Sequence, residues 1–480
     1  MEFDLNKRYC YYFNELAKIP RGSRNEKAAS DWVCEFAKAH GLTYKQDHVW
    51  NVYVEKPATP GYENADPLIL QAHLDMVCEK NKGVEHDFEK DPLDLYVDEN
   101  GWLRARGTTL GCDDGYGVAY MMAILESDDI PHPALQCWFT TMEEVGLLGA
   151  MQIKAEDLHA HQMINLDGGG ELETAVSSAG GVNVVIKKKI DYEPNSENTY
   201  AIRVRGLKGG HSGGLIHLEL GNSIIIAATI LKEAELEGHP VQLVSFDGGL
   251  KYNAIPREAD VVFTAAEDAD TLKAELDKKA AEIATQLEFS DPDFRLEFEK
   301  LDTAEQRMTK QCSEDILNFV YLIPNGFQHK SMAIEGLTLA SSNLGVVVTK
   351  DGEFRGDVLA RSAIESYSES NGWRMHVLAE LCHMQADATD RIFCWNYAAE
   401  SRLRDIYADV LKKQGKELIT HATHGGLETG VFKGLVPDMD IICCGPVAEG
   451  AHTPDERLDL ASFDRAWDIQ IGRASCRERV

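Results

Sequence analysis

Acidic and histidine side chains recur in this sequence where an apolar run of strand length ends. These side chains are His73 and Asp75 after residues 67–72, Glu143 and Glu144 after residues 137–141, Asp167 after residues 163–166, and His452 a few residues beyond residues 439–443. In an open α/β sheet, ligands bind outside the carboxyl ends of the strands. We therefore expect these side chains to converge on one rim of a sheet.

A further acidic pair, Asp113 and Asp114, lies between Gly111 and Gly115. Glycine lets the backbone turn, and the helix predicted over residues 115–126 would present its positive N-terminal end to the pair. A carboxylate at this place would be held rigidly. The spacing leaves open, by one residue, whether Asp113 or Asp114 faces the other candidate ligands.

Two histidines and several carboxylates are a donor set that suits zinc better than magnesium, which prefers oxygen ligands and water. Cobalt and manganese are also compatible with these ligand types. A carboxylate shared by two ions about 3.5–4 Å apart would lower the pKa of a shared water and polarise a substrate carbonyl. In the pair Glu143 and Glu144, one carboxylate could bind metal while the other acts as a base.

Each of these motifs has a less specific interpretation when it is taken alone. A His-x-Asp sequence is more often a surface pair, and adjacent glutamates usually lie on solvated helix faces. His211 lies in the glycine-rich segment 208–214, which is unsuited to a packed core and predicts a contact outside its own domain; a flexible surface loop is the alternative. His421 and His424 lack ligand spacing, so we expect structural or supporting roles for them.

The elements that must position these residues follow from the apolar spacing. Helices are predicted over residues 5–17 and from an N-cap at Ser23 to His40, and strands over residues 51–55, 67–72, 135–141 and 162–166. The helix at 115–126 lies between two of these strands. This order of strand, helix and strand favours an α/β sheet over an all-β sandwich.

From about residue 180 the pattern changes, which predicts a second domain. Strands are expected at residues 182–188, 200–205, 242–246, 260–265, 294–300 and 343–350, with another beginning at 362–366, and helices at 221–237 and 271–286. After residue 391, a helix at 400–414 and the apolar run 439–443 resemble the first domain again. We therefore predict a discontinuous catalytic domain, residues 1–180 and 392–470, that contains an inserted domain, residues 181–391.

The amino-acid composition argues against several classes of protein function. The 480 residues carry a formal net charge of −31, which disfavours nucleic acids and anionic membrane surfaces. We see neither a membrane span nor a signal peptide, and the eleven cysteines show no CxxC spacing, so a cytoplasmic protein with reduced thiols is expected. The last ten residues, 471–480, break the preceding helical pattern, and we interpret them as a non-native tail.

Taken in order, the motifs resemble those of the M20 family of metallopeptidases, and in particular its aminoacyl-histidine dipeptidase branch. The resemblance rests on His73-Leu74-Asp75, on residues 111–115, on Glu143-Glu144-Val145-Gly146, on Asp167, on residues 209–213, and on residues 451–456, and it extends over nearly the whole chain. It implies a zinc-peptidase-like catalytic domain, with a mixed sheet flanked by helices, and an inserted α+β lid domain that could also mediate dimerisation.

The resemblance also implies roles for individual residues. Two zinc ions per chain would be bound by His73, Asp113, Glu144, Asp167 and His452, with Asp113 bridging. Glu143 would be the general base, and Asp75 would orient His73. In the inserted domain, the residues implied to contact the substrate are His211, Asn253 and Arg361.

The activity implied is hydrolysis of dipeptides, including those with histidine in second position such as β-alanyl-histidine, by a homodimer joined through the lid. One rival is a related amidohydrolase that removes the acyl group from N-acyl amino acids with the same metals. A second rival is a non-catalytic binding protein on the same scaffold. The presence of every expected ligand and of the base argues against this second rival.

Overall fold

The computed structural model describes residues 3–474 and divides into two compact units. The first comprises the chain up to Ser178, then Trp395–Ala422, and the chain from Leu427 onward. The second comprises Ala179–Cys394 together with Thr423–Gly426. The second unit is thus inserted into the first, and the chain returns to it briefly at residues 423–426, a return that the apolar pattern does not reveal.

Ten helices lie in the described part of the chain. They are α1 Arg8–Leu16, α2 Lys27–Ala39, α3 Cys112–Glu126, α4 Ser223–Leu236, α5 Ala269–Gln286, α6 Lys310–Leu322, α7 Glu365–Leu381, α8 Arg402–Lys413, α9 Glu428–Leu435 and α10 Leu460–Ala474. Several begin at a side chain that accepts backbone amide hydrogen bonds: Asn222 before α4, Asp268 before α5, Thr309 before α6 and Ser401 before α8. Such caps satisfy amides that have no partner inside the helix.

The strands are numbered in chain order. They are β1 Thr43–Gln46, β2 Val52–Lys56, β3 Leu68–His73, β4 Leu95–Val97, β5 Trp102–Ala105, β6 Leu135–Thr140, β7 Gln162–Asn165, β8 Glu173–Ser178, β9 Gly180–Lys189, β10 Tyr192–Pro194, β11 Asn198–Arg205, β12 Gly210–His211, β13 Gln242–Gly248, β14 Ala254–Ile255, β15 Ala259–Ala265, β16 Arg295–Leu301, β17 Gln306–Met308, β18 Gly326–Lys330, β19 Thr338–Lys350, β20 Glu353–Ser362, β21 Gln385–Ile392, β22 Ile419–Thr423, β23 Asp440–Cys443, β24 Ala448–Glu449 and β25 Arg457–Asp459.

The first unit contains a mixed eight-stranded sheet in the order β1-β2-β6-β3-β7-β23-β8-β22. Its four central strands, β6, β3, β7 and β23, run parallel to one another. Both β3 and β6 are buried along their whole length, as expected for parallel strands covered on two faces. Helix α3 packs on β3 and is buried nearly all round, which explains its almost uninterrupted apolar sequence.

The second unit contains a nine-stranded antiparallel sheet. Its strands follow the order β16-β11-β15-β13-β19-β20-β9-β21, and β18 pairs with β19. Helices α4, α5, α6 and α7 all contact strands of this sheet. The unit has an apolar core of its own, built from these helices and strands. The predicted α/β class of the chain is therefore confirmed, and the second unit consists of helices and an antiparallel sheet.

Two local predictions were wrong. Residues 362–366 do not begin a strand, because β20 ends at Ser362 and α7 starts at Glu365. Ser23 does not cap a helix, because α2 begins only at Lys27 and the Ser23 hydroxyl donates instead to the Asp75 carboxylate, 2.8 Å away. At Ser23, a contact with Asp75, which is distant in sequence, determines the local structure. At residues 362–366, the chain passes from β20 to α7 within two residues. A short window of sequence predicts neither.

Within residues 3–474, no helix combines the length and the apolar character needed to cross a bilayer. The predicted tail begins inside α10, which continues to Ala474, while residues 475–480 lie outside the described part of the chain.

Candidate metal centre and anion site

The predicted metal-binding residues of the first unit lie at one edge of its sheet. His73 is the last residue of β3, Asp167 follows β7 by two residues, and Glu143 and Glu144 follow β6. Because β3, β6 and β7 are parallel, their carboxyl ends meet at the same edge. His452 reaches this edge from the loop between β24 and β25.

The carboxylate of Asp113 lies between the two histidines. Its Oδ1 is 2.9 Å from Nε2 of His73, and its Oδ2 is 3.4 Å from Nε2 of His452. The same histidine nitrogen of His452 is 2.9 Å from Oε2 of Glu144. Each carboxylate oxygen of Asp113 therefore faces a different histidine.

Three overlapping groups of side chains place potential ligand atoms within 4.8 Å of one another. The groups are His73, Asp113 and Asp167; His73, Glu143 and Glu144; and Asp113, Glu144 and His452. Together they contain all five predicted ligands and the predicted base. Glu143 falls in one of these groups, so proximity alone does not separate the base from the ligands.

Asp114 has a different environment from Asp113, to which it is joined by a cis peptide bond. It is fully buried, and its carboxylate accepts hydrogen bonds from the amides of His73 (3.3 Å) and Gly117 (3.2 Å). It belongs to none of the three groups of potential ligands found among the described residues. Asp114 thus stabilises the backbone around the site, while Asp113 faces the histidines.

Asp75 is buried beneath His73 and joins two parts of the site. The backbone carbonyl of Asp75 lies 3.1 Å from Nδ1 of His73, so this ring nitrogen is occupied and Nε2 faces the site. The Asp75 carboxylate accepts hydrogen bonds from the amides of Glu143 (3.0 Å) and Glu144 (3.2 Å). Asp75 thus fixes a histidine tautomer through its backbone carbonyl and the adjacent glutamates through its side chain.

The loop that carries the two glutamates has an unusual backbone. Met142 and Leu147 have φ angles of 52° and 62°, in the left-handed region that non-glycine residues seldom adopt. The amide of Met142 donates to Oε1 of Glu26, a fully buried residue, at 2.9 Å. Glu26 and Asp75 therefore hold a strained loop in place from opposite ends of the Met142–Glu144 segment.

Glu456 binds the start of helix α3. Its two carboxylate oxygens accept hydrogen bonds from four consecutive amides, those of Leu110 (2.7 Å), Gly111 (2.9 Å), Cys112 (2.9 Å) and Asp113 (3.3 Å). These include first-turn amides that have no partner inside the helix, and the positive end of the helix dipole favours an anion there. Glu456 thereby fixes the backbone of Asp113.

The charge distribution of the site favours bound cations. Burial and the neighbouring Asp113 raise the pKa of Asp167 well above its ordinary value, and burial with the neighbouring Glu144 raises that of Glu143. Hydrogen bonds to Asp113 and Glu144 raise the pKa of His452 to about 10. Carboxylates this close favour protonation over mutual repulsion unless a cation lies between them. The donor set and its excess of negative charge therefore fit divalent metal ions.

Three further predicted site residues lie in the second unit. His211 on β12 pairs with Ala254 on β14, and the amide of Ser212 donates to the carbonyl of Asn253, so His211 and Asn253 lie on adjacent segments. Nδ1 of His211 accepts hydrogen bonds from the amides of Gly213 (3.3 Å) and Gly214 (3.0 Å). The glycine-rich loop therefore orients this ring rather than leaving it loose.

Arg361 is the third of these residues and is only 6% exposed. It forms no ion pair with any carboxylate of the described chain, and burial lowers its pKa. Its Nε is buried without a hydrogen-bond partner. A buried guanidinium without a counter-charge among the described residues is costly, so Arg361 is a candidate partner for an anion.

His421 and His424 are not in any group of potential metal ligands among residues 3–474. Nε2 of His424 lies 2.7 Å from Oγ of Ser341, the cross-strand neighbour of Arg361. Burial, together with the charge of Arg361, lowers the pKa of His424 to about 3. His424 is thus a neutral residue next to the predicted anion site.

Four buried charged residues of the site were not anticipated from the sequence: Arg21, Glu26, Glu428 and Glu456. Arg21 donates to the carbonyls of Leu74 and Asp75 and to that of Gly111, and so links β3 to the start of α3. A signal existed only for Glu456, which ends the quoted motif at residues 451–456. Arg21, Glu26 and Glu428 each stand in the sequence as an isolated charged residue, and no neighbouring residue indicates a partner of opposite charge or a hydrogen-bond partner.

Comparisons with known proteins identify the family of this chain. Residues 69–470 match the description of Peptidase family M20/M25/M40. The chain is 33% identical over 464 residues to the cytosol non-specific dipeptidase of Escherichia coli (strain K12), and the match covers 95% of both chains. The crystal structure of aminoacylhistidine dipeptidase from Vibrio alginolyticus superposes with a TM-score of 0.87 at 32% identity, covering 97% of this chain and 95% of that one.

A more distant structure, the aminopeptidase PepT from Bacillus cereus ATCC 10987, covers the whole of both chains with a TM-score of 0.56 at 15% identity, which shows a shared fold alone. The extent of the family match and the identity to the Escherichia coli relative are decisive: this chain belongs to peptidase family M20/M25/M40. It is an enzyme, a hydrolase of peptide bonds.

The Glu456 contact generates a prediction. Replacing Glu456 by Gln would set an amide group against backbone amides that now donate to a carboxylate. We expect the free energy of unfolding of the metal-free protein to fall by about 2 kcal/mol, the usual cost of leaving buried donors of a charged hydrogen bond unpaired. Urea unfolding followed by circular dichroism measures this.

The control is Asp455→Asn, which removes a neighbouring exposed carboxylate and should leave stability close to that of the wild type. Equal stability of the Glu456→Gln variant and the wild type would contradict the capping role.

Proposed function

We propose that this peptidase is a metal-dependent dipeptidase that cleaves the single peptide bond of short peptides, including β-alanyl-histidine. The observation that carries the proposal is the crowding of Asp113, Glu144 and Asp167 around two histidines at one sheet edge. Relatives matched over nearly the whole chain are named dipeptidases, which supports the substrate class.

In this proposal two zinc ions are held by five side chains, with Asp113 shared between them. The five side chains are His73, Asp113, Glu144, Asp167 and His452. Asp113 is favoured over Asp114 because its carboxylate contacts both histidines, whereas that of Asp114 is taken up by backbone amides. Cobalt and manganese accept the same donor types, so the experiment below compares the three metals.

Glu143 is proposed as the general base. Bound metal would supply Lewis acidity that lowers the pKa of water and polarises the substrate carbonyl. Glu143 accepts a proton from the attacking water and returns it to the leaving amine, a role supported by burial that raises its pKa and by the Asp75 contact that fixes its backbone. Asp75 orients His73 through its backbone carbonyl.

The second unit is proposed to bind the substrate. A dipeptide ends in a carboxylate, and Arg361 supplies a buried positive charge without a counter-charge among the described residues. His211 and Asn253 are also proposed to contact the substrate. The glycine loop around His211 presents the ring at the surface of its unit, where a ligand can reach it.

The rival activity, removal of an acyl group from an N-acyl amino acid, is less well supported. Both substrates offer a carboxylate to Arg361, so this residue does not separate the two activities; the substrates differ in that only a dipeptide has a free N-terminal amino group. Relatives matched over nearly the whole chain are named dipeptidases, and this favours the dipeptide over the N-acyl amino acid. We further propose a cytoplasmic location, which the name of the Escherichia coli relative supports.

Hydrolysis by metal-stripped protein tests the proposal. We expect cleavage of β-alanyl-histidine, glycyl-histidine and leucyl-glycine to return on addition of zinc, and N-acetyl-ornithine to remain uncleaved. Cobalt and manganese are tested in parallel, and products are separated by chromatography. Cleavage of the acetylated compound alone would support the deacylase, and cleavage of nothing would support a binding protein.

Two variants complete this experiment. Glu143→Gln should abolish turnover while zinc content, measured by atomic emission, stays close to that of the wild type. His452→Ala should lose zinc as well as activity, because it removes a proposed ligand. Near-normal activity of Glu143→Gln would show that the base is misassigned.

The role of Arg361 gives a separate prediction. Arg361→Met should raise KM for leucyl-glycine by about 30-fold or more, equivalent to about 2 kcal/mol for a lost charge pair, with a smaller change in kcat. Steady-state kinetics with leucyl-glycine and with its C-terminal amide measure this, and the variant should lose the preference for the free carboxylate.

Arg355→Met is the matched control, since Arg355 lies on the same strand, β20, but is exposed and pairs with Asp357. A preference for the free carboxylate that survives in Arg361→Met would exclude Arg361 as its partner.

We also propose a homodimer joined through the second unit. On α7, Trp373, Val377 and Leu381 recur at intervals of four residues and are 69%, 53% and 72% exposed, so one helix face is apolar and uncovered. Beside it, β21 is the last strand of the sheet, at its edge. A second copy would cover both features.

Trp373→Glu is expected to shift the protein from dimer to monomer, because a charge cannot be buried in an apolar contact without a partner. Light scattering coupled to size-exclusion chromatography measures the mass over a wide concentration range. Leu236→Glu on α4 is the matched control, being equally exposed at 69%, and should leave the mass unchanged. A monomeric wild-type protein would contradict the proposal.

A further inference from the structure

Glu428 is a buried carboxyl group without an established task. It is the first residue of α9 and only 1% exposed. Its Oε2 accepts hydrogen bonds from Nε2 of Gln71 (2.5 Å) and from Oγ1 of Thr140 (2.7 Å). Its Oε1 is buried and has no hydrogen-bond partner among the described residues.

The contacts of Glu428 extend across three strands. The second hydrogen of Gln71 Nε2 points to Oγ1 of Thr140, 3.1 Å away, so Glu428, Gln71 and Thr140 form a closed triangle. Oε1 of Gln71 accepts a hydrogen bond from Nδ2 of Asn165 at 2.5 Å. Polar side chains of β6, β3 and β7 are thereby joined, and all of them are almost completely buried.

Each strand residue in this network lies just before a residue of the candidate metal centre. Gln71 precedes His73 by two residues, and Asn165 precedes Asp167 by two. Because alternate residues of a strand face the same side, Gln71 and His73 of β3 share one face of the sheet, whereas Asp167 follows the end of β7 at Asn165. Thr140 ends β6, three residues before Glu143. The network therefore lies directly beneath the site residues.

Burying such a polar network in a sheet costs free energy. Buried polar groups stabilise a protein only when all are satisfied, and apolar side chains of the same size would pack at lower cost. Hydrogen bonds fix the direction and the separation between neighbouring strands, and apolar packing does not. The site above the network needs this, because small displacements of ligands weaken metal binding and catalysis.

We propose that Glu428 is a positioning residue that ties the carboxyl ends of β3, β6 and β7 together and so fixes the spacing of His73, Glu143 and Asp167. The proposal rests on the metal-dependent function proposed above. Glu428 acts through Gln71, Thr140 and Asn165 and does not touch substrate or metal.

The geometry provides a conservative variant. In Glu428→Gln, the side-chain oxygen can still accept from Gln71 and Thr140, while the new amide group takes the place of the unpartnered Oε1. Glu428→Ala removes the acceptor altogether. If Glu428 acts by hydrogen bonding, Gln should restore what Ala removes.

The matched control is Asp440→Ala. Asp440 also joins a strand of this sheet to a helix, since its carboxylate accepts from Ser401 (2.6 Å) and from the amide of Leu403 (2.9 Å) at the start of α8. However, it lies at the opposite, amino end of β23. Its loss should lower the melting temperature without disturbing the metal centre.

The experiment measures zinc dissociation constants of metal-stripped full-length proteins by competition with a chromogenic chelator, and then kcat and KM for leucyl-glycine at saturating zinc. We expect Glu428→Ala to weaken zinc binding about 10-fold to 100-fold and to lower kcat with little change in KM. Glu428→Gln and Asp440→Ala should bind zinc as the wild type does. If Glu428→Ala fails to fold, Thr140→Val, which removes one donor at equal size, should show a smaller loss of zinc affinity.

The outcomes separate the proposals. Unchanged zinc affinity in Glu428→Ala, or in Thr140→Val where that variant replaces it, overturns the positioning role. The role is also overturned by a Glu428→Gln variant as impaired as Glu428→Ala, or by an equal loss in Asp440→Ala, which would indicate general destabilisation. A wild-type protein that binds no zinc, cobalt or manganese would instead contradict the proposed metal centre itself.

Discussion

Mutual repulsion among closely spaced carboxyl groups is the constraint on which the first unit depends. Each acidic side chain at the carboxyl edge of the sheet must be hydrogen-bonded, protonated or neutralised by a cation. The chain satisfies some of them with its own backbone: Asp75 accepts from the amides of Glu143 and Glu144, and Glu456 from the amides at the start of α3. The remainder, around Asp113, have only two histidines between them.

This division assigns the acidic residues to two tasks. Those satisfied by amides hold the backbone, and those left without enough positive partners are free to bind metal. The strained positions at Met142 and Leu147 fit this arrangement, because Glu26 and Asp75 hold the loop that would otherwise relax. Strain of this kind persists only where surrounding contacts over-determine the backbone, and it commonly marks functional loops.

The second unit shows the opposite electrostatic problem. Arg361 is a buried cation without an anion, and His424 beside it is kept neutral, so neither an acid nor a second cation disturbs the guanidinium. An anionic ligand would complete this site, as cations would complete the other. Each unit therefore leaves buried groups uncompensated among the described residues, negative ones in the first unit and a positive one in the second.

The sequence by itself determined the α/β class and the family, and it predicted an inserted second domain and a set of acidic and histidine residues at one sheet edge. These follow from short-range information, because strand-length apolar runs end directly before His73, Glu143 and Asp167. Tertiary structure alone decided which of Asp113 and Asp114 faces the histidines, that Ser23 binds Asp75 instead of capping α2, and that Glu26, Glu428 and Glu456 support the site. The physical reason is sequence distance: Glu428 meets Thr140 across 288 residues, and no local pattern encodes which partner a lone buried charge will find.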